Sequence, residues 1–150
     1  CQRVLAFCEK NCGSKIPTVD FINDDLEILK NFENLAYLRD LIDDQNINDY
    51  MKFIVDMLFS SNKYFNDQEP WKKKNDKNRL NTIVYTALDL IRKISILLNP
   101  VIPDTTFKVL KIFDINDDKL KFEDINNHKF LESGKNIGKL NILFKKIEND

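Results

Sequence analysis

The sequence predicts an all-α protein, a bundle of about five helices with an irregular C-terminal extension. Two observations carry this. Three glycines and four prolines make only 7 of 150 residues, too few for a turn-rich sandwich or barrel and suited to long helices. Apolar residues also recur at helical spacing. The clearest run is Leu80, Ile83, Val84, Ala87, Leu88, Ile91, Ile94 and Leu98, which a helix gathers onto one face. A chain of 150 residues falls within the size range of one domain. Residues 1–113 read as the bundle and 114–150 as the extension.

Taken in order, residues 1–12 read as the end of a helix, with Gly13 at the position that accepts a left-handed backbone. Gly13 to Asn23 is a connector containing Pro17. A second helix is expected from about Asp24 to Asp43, its apolar stripe marked by Ile28, Phe32, Leu35 and Ile42. A third runs from about Ile47 to Asp67, with Asn46 as its N-cap. It carries two stripes, Met51, Ile54, Leu58 and Phe65 beside Tyr50, Phe53, Met57 and Tyr64. A helix apolar on two sides is covered on two sides, as in a bundle. Pro70 disfavours helix at Glu69, so the chain turns there. The fourth helix, about Lys77 to Leu98, is capped by Asp76 and ended by Asn99-Pro100. Pro103 suits the first position of a fifth, which fades near Phe113. Residues 114–136 read as mostly irregular, and Leu140 to Phe144 as a short strand or docking segment.

Several kinds of chemistry find no support. No apolar run approaches the ~20 residues of a membrane span, and no secretory leader opens the chain. The chain begins inside a helix without an initiator Met, and reads as a fragment or as a chain whose beginning is missing. Cys1, Cys8 and Cys12 lie near one end and cannot pair completely, which fits a reducing, cytoplasmic setting. Their spacing lacks a fourth ligand nearby, so no metal site is expected. With Leu5 they recur every three or four residues, as small hydrophobes on an apolar stripe. His128, the only histidine, has no neighbouring Ser or Cys and reads as a solvated loop residue. Asp24-Asp25 and Asp43-Asp44 read as solvated helix ends, because adjacent residues do not face each other on a helix. The three glycines are dispersed and form no phosphate loop. No catalytic or cofactor-binding residue emerges.

The net charge of −1 gives no whole-chain excess of positive charge, so any nucleic-acid site must be a local patch. One patch exists. Lys72 to Arg79 carries five bases against one acid and follows Trp71, the only tryptophan. A rigid aromatic at a turn can stack on an unpaired base while cations meet phosphates. The plain alternative makes Trp71 a plug at the bundle end and the lysines a solvated face.

The stretch Asn62-Lys63-Tyr64-Phe65-Asn66-Asp67-Gln68-Glu69-Pro70-Trp71-Lys72 resembles the N-x-Y-x4-P-W-K segment of the methionyl-tRNA synthetase family. Tyr85 to Arg92 and Leu97 to Pro103 resemble that family's next helix and its L-x-P-x-x-P close. Gln2-Arg3-Val4-Leu5 resembles its first anticodon-domain helix, and Leu143 to Glu148 its terminal L-F-P-R-I-E. The resemblance runs in order along essentially the whole chain. It implies the anticodon-binding helix bundle of a class I aminoacyl-tRNA synthetase, reading the CAU anticodon of tRNA(Met). By position it implies that Trp71 stacks on the anticodon and Arg3 contacts its bases. Asn66, where many members carry aspartate, would lie beside them, and Lys72, Lys73 and Lys74 would hold the RNA backbone. The family asparagine four residues before the arginine would precede Cys1, and Lys145 stands where many members carry proline.

The family's H-I-G-H and K-M-S-K-S signatures are absent from the sequence, so the chain alone is expected to be inactive. The parent would activate methionine with ATP and magnesium and charge tRNA, and any structural zinc would belong outside this chain. Expected partners are the tRNA(Met) anticodon stem-loop and the catalytic domain of the same enzyme. No membrane partner is expected, and a monomer is. Two alternatives stand beside this reading. One is the related bundle of the isoleucine, valine, leucine or cysteine enzyme, and the other is a helical protein-interaction module.

Overall fold

The computed structural model describes residues 2–33, 35–116 and 121–139. Cys1, the Leu140 to Phe144 stretch and the terminal resemblance, including Lys145, lie outside the described residues. Among the described residues six α-helices follow in order: α1 Gln2–Cys12, α2 Asn23–Lys30, α3 Tyr37–Asp43, α4 Ile47–Gln68, α5 Lys77–Leu98 and α6 Pro103–Lys111. Short 3-10 helices lie at Pro70–Lys72 and Phe122–Asn126. Among the described residues no strand forms, and one isolated bridge joins Lys15 to Asn136.

Helix α5 is the axis of the fold. It packs against α1, α4 and α6. Leu80, Ile83, Val84, Ala87, Leu88 and Ile94 are buried, as the period predicts; Ile91 and Leu98 of the same stripe are half-buried, and Leu97, outside it, is buried. So are polar residues that the apolar stripe does not contain: Thr82, Thr86, Asp89, Arg92 and Lys93. Thr82 Oγ1 accepts the Asp20 N–H of the connector at 2.9 Å, and the C-terminal extension covers Arg92 and Lys93. Arg92 donates to the carbonyls of Asp124 at 3.0 Å and Asn127 at 2.8 Å, and the Tyr85 hydroxyl to Leu131 at 2.7 Å. Lys93 Nζ donates to the carbonyl of Ile125 and lies 3.3 Å from Asp89 Oδ2. The extension therefore closes the core through its backbone carbonyls. A buried cation needs such partners, because unpaired burial of charge is costly.

The structure corrects several expectations. The helix expected over 24–43 is two helices. Asn31 closes α2, and the chain turns before α3 begins at Tyr37. Phe32 and Leu35 are buried within the turn. The apolar stripe thus continues through a break that periodicity alone reads as continuous. Asn46 occupies the N-cap position of α4, yet its amide bonds the Asp49 carboxylate at 2.8 Å rather than a backbone N–H. Helix α6 stops at Lys111, near Phe113 as expected, and Phe113 is buried beyond it. His128 is no solvated loop residue. Its ring bridges Lys93 Nζ and Glu33 Oε1, each at 3.0 Å, and its side chain is 17% exposed.

Other expectations hold. Gly13 has φ +63°, and Asp76 accepts from the backbone N–H of Arg79 at 3.1 Å. Pro103 opens α6. Cys8 is a buried core member whose thiol lies 3.5 Å from the Lys15 carbonyl.

Candidate nucleic-acid interface

The candidate site begins with a turn set by proline. Pro70 disfavours the right-handed helical conformation at the residue before it. Glu69 ends α4 in the left-handed region, with φ +47° and ψ +57°. Pro70 is buried, and Trp71 follows it with 37% of its surface exposed. The indole meets the buried ring of Phe65 edge-on, centroids 6.2 Å apart and planes at 70°. Such an arrangement sets the positive edge of one ring against the face of the other.

Arg3 arrives from α1. Its Cζ lies 5.3 Å from the Trp71 ring centroid and 5.4 Å from that of Phe65. Its Nη1 donates to Asn66 Oδ1 at 2.8 Å. Arg3, distant in sequence from Asn66 and Trp71, therefore joins them in one exposed cluster. A guanidinium has five donors and no acceptor. Asn66 turns its oxygen to Arg3, which leaves its NH2 as a donor. The cluster offers hydrogen-bond donors beside an aromatic ring. That chemistry suits the acceptor edge of an unpaired base stacked on the indole.

The basic residues separate into two kinds. Lys72 is exposed with its Nζ 3.0 Å from Glu69 Oε1, Lys73 is half-buried, and Lys74 is exposed. Arg79, which the sequence groups with them, is committed elsewhere. Its Nη1 and Nη2 donate to Asp25 Oδ2 at 2.7 Å and Oδ1 at 3.0 Å. Asp25 is fully buried rather than a solvated helix end. It also accepts the hydroxyl of Tyr64 and the N–H of Ile22 at 2.9 Å. Burial, with the carboxylate adding to it, raises the Tyr64 phenol well above its ordinary range.

Sequence reasoning missed Phe65 as part of the site, because it belongs to the apolar stripe of α4. It is a core residue and also the surface against which Arg3 and Trp71 rest. Its place just before Asn66 was the available signal.

A family model described as the anticodon binding domain of methionyl tRNA ligase matches residues 23–150. The methionine–tRNA ligase of Rickettsia felis is 30% identical over 156 residues, covering 99% of this chain and 30% of that protein. That of Brucella suis is 33% identical over 127 residues, covering 83% of this chain and 25% of that protein. The crystal structure of Mycobacterium tuberculosis methionyl-tRNA synthetase bound by methionyl-adenylate superposes with a TM-score of 0.87 at 25% identity, over 96% of this chain and 30% of that one. The chain thus spans under a third of the length of these relatives.

Proposed function

The chain belongs to the family of methionyl tRNA ligase anticodon-binding domains, and from that premise we propose that it binds the CAU anticodon stem-loop of tRNA(Met). The observation that carries this reading is the convergence of Arg3, Asn66 and Trp71 on one exposed cluster. Trp71 stacks on an anticodon base. The Arg3 fork and the Asn66 amide donate to the acceptors of a base edge. Such a donor set favours cytosine, whose O2 and N3 both accept, over uracil, whose N3 carries a proton. Lys72, Lys73 and Lys74 meet the phosphates.

The chain acts as the single anticodon-binding domain of a larger, monomeric and cytoplasmic enzyme. The rest of that enzyme activates methionine with ATP and magnesium and charges the tRNA. The 1–113 bundle supplies the binding surface, and the extension from 114 braces it.

Trp71, as the only tryptophan, reports directly on stacking. A CAU hairpin should change its fluorescence, and a scrambled loop should do so less. Arg3→Lys should bring the two hairpins closer in affinity, since an ammonium cannot reproduce a planar fork. Equal fluorescence changes with both hairpins, unaltered by Arg3→Lys, would refute the reading.

A further inference from the structure

The loop that carries Trp71 is fastened at both ends to one buried carboxylate. Residues 69–76 join α4 to α5. At the α4 end, Tyr64 donates to Asp25, and Gln68 Oε1 accepts from Arg79 Nη2 at 2.7 Å. At the α5 end, Arg79 forms its two-pronged pair with Asp25. Asp25 itself stands in the first turn of α2, where its Oδ2 also accepts the Ile22 N–H at 2.9 Å. Gln68 Nε2 reaches Asp24 Oδ2 at 3.3 Å. Three helix ends thus meet at one charge pair.

Tyr64 and Gln68 flank Phe65 and Asn66 in sequence, and those two residues touch Trp71 and Arg3 respectively. The network therefore sets where the exposed cluster stands. A bidentate guanidinium–carboxylate pair fixes geometry as well as charge. A loop held in its binding geometry avoids the cost of ordering on association. Both terminal nitrogens of Arg79 are occupied within the fold, so its role differs from that of Lys74.

We propose that Asp25 and Arg79 are positioning residues for RNA binding, acting through Tyr64, Gln68 and Phe65 to hold Trp71 where an unpaired base can stack. This rests on the reading of Trp71 as a stacking platform.

The test uses the full 150-residue chain, a CAU hairpin, and variants Arg79→Gln, Arg79→Lys, Gln68→Ala and Trp71→Ala. Two readouts are taken: quenching of Trp71 fluorescence by acrylamide without RNA, and hairpin affinity as a function of salt. Arg79→Gln should increase quenching and weaken binding by about tenfold, within the roughly 5- to 150-fold that stacking is worth. The salt slope should stay unchanged. Arg79→Lys should recover part of both, and Gln68→Ala should give a smaller loss of the same kind. If Arg79→Gln does not fold, Arg79→Lys and Gln68→Ala carry the same expectations at smaller size. A salt slope reduced by roughly 0.7 to 0.9 makes Arg79 a phosphate contact and overturns the proposal. Unchanged quenching and affinity in the folded variants overturns it too. Trp71→Ala separates the two readings. If it leaves affinity intact, stacking fails and the proposal fails with it. If it weakens binding while the Arg79 variants do not, only the positioning role fails.

Discussion

Arg3 and Arg92 each place a guanidinium over an aromatic ring, and their surroundings give them opposite uses. Arg92 Cζ lies 4.5 Å from the Phe130 ring, and its side chain is fully buried. Its donors go to Asp89 at 2.7 Å and to two carbonyls of the extension. Arg3 lies 5.3 Å from Trp71, is exposed, and among the described residues spends one donor, on Asn66. The first cation spends a donor from each of its three nitrogens inside the fold and joins the extension to α5. The second spends one among the described residues. A guanidinium over a ring therefore says little by itself; the count of satisfied donors separates a brace from a recognition element.

The largest effect should come from the interior. Arg92→Met leaves Asp89 with Lys93 alone and frees two carbonyls of the extension. Breaking a buried ion pair from one side costs about 3–5 kcal/mol. Denaturant unfolding should show that loss. Hairpin affinity, measured where the variant is still folded, should stay within about twofold of the parent. A comparable loss of affinity in the folded variant would mean that the two regions are not separable.

At the exposed cluster the balance should invert. Trp71→Ala should weaken CAU hairpin binding by about 1–3 kcal/mol. Its cost in stability should be smaller, because the indole is 37% exposed and makes its edge contact with one ring. If unfolding shows a loss of several kcal/mol while binding is unchanged, Trp71 is a plug at the bundle end.

The interior also predicts a pH dependence. Burial pushes the Lys93 ammonium down to about 8, against a pull from Asp89 and with a further push from Arg92. The unfolded chain holds that proton up to its ordinary value near ~10.5. Between these values the unfolded state binds more protons, so stability rises with pH. The contribution is complete above the unfolded value and is lost as pH falls through about 8. The slope is bounded by about 1.4 kcal/mol per pH unit for one proton. Burial raises the phenols of Tyr50, Tyr64 and Tyr85, which gives an opposing slope above about pH 10. Unfolding measured from pH 8 to 9.5 should therefore show the rise in the parent and not in Lys93→Met. Parallel curves for the two would remove Lys93 from the account.

The smallest effect concerns a single surface charge. Lys74→Gln should leave stability within about 0.5 kcal/mol. It should lower the salt slope of hairpin binding by roughly 0.7 to 0.9 if that lysine neutralises one phosphate. An unchanged slope would place Lys74 outside the RNA footprint.

Much of this was legible along the chain. The period of Leu80 to Leu98 marked α5 because burial on one face leaves a repeat near 3.6, and Pro70 marked the turn because its ring restricts the residue before it. Trp71 stood out for the same local reason. The break between α2 and α3 was not legible, since Phe32 and Leu35 keep the apolar repeat while the backbone turns. Nor was the division among the basic residues. Arg79 looks like Lys74 in sequence, and only its distance to Asp25 tells them apart.

The sequence by itself determined what depends on neighbours: the long helices α4 and α5, the Asp76 cap, the proline turn and the rigid aromatic that follows it. Those features arise within a few residues, where backbone sterics and side-chain period act directly. The tertiary structure decided which charged groups are spent inside the fold and which remain for a partner. Asp25, Asp89, Arg92 and Lys93 are polar residues that composition places at the surface and the fold buries, with His128 half-buried beside Lys93. Their partners lie 32 to 95 residues away except for the local pairs of Asp89 and the Ile22 bond to Asp25. A charge is buried only when such partners repay its lost hydration, and no local pattern encodes whether they will arrive.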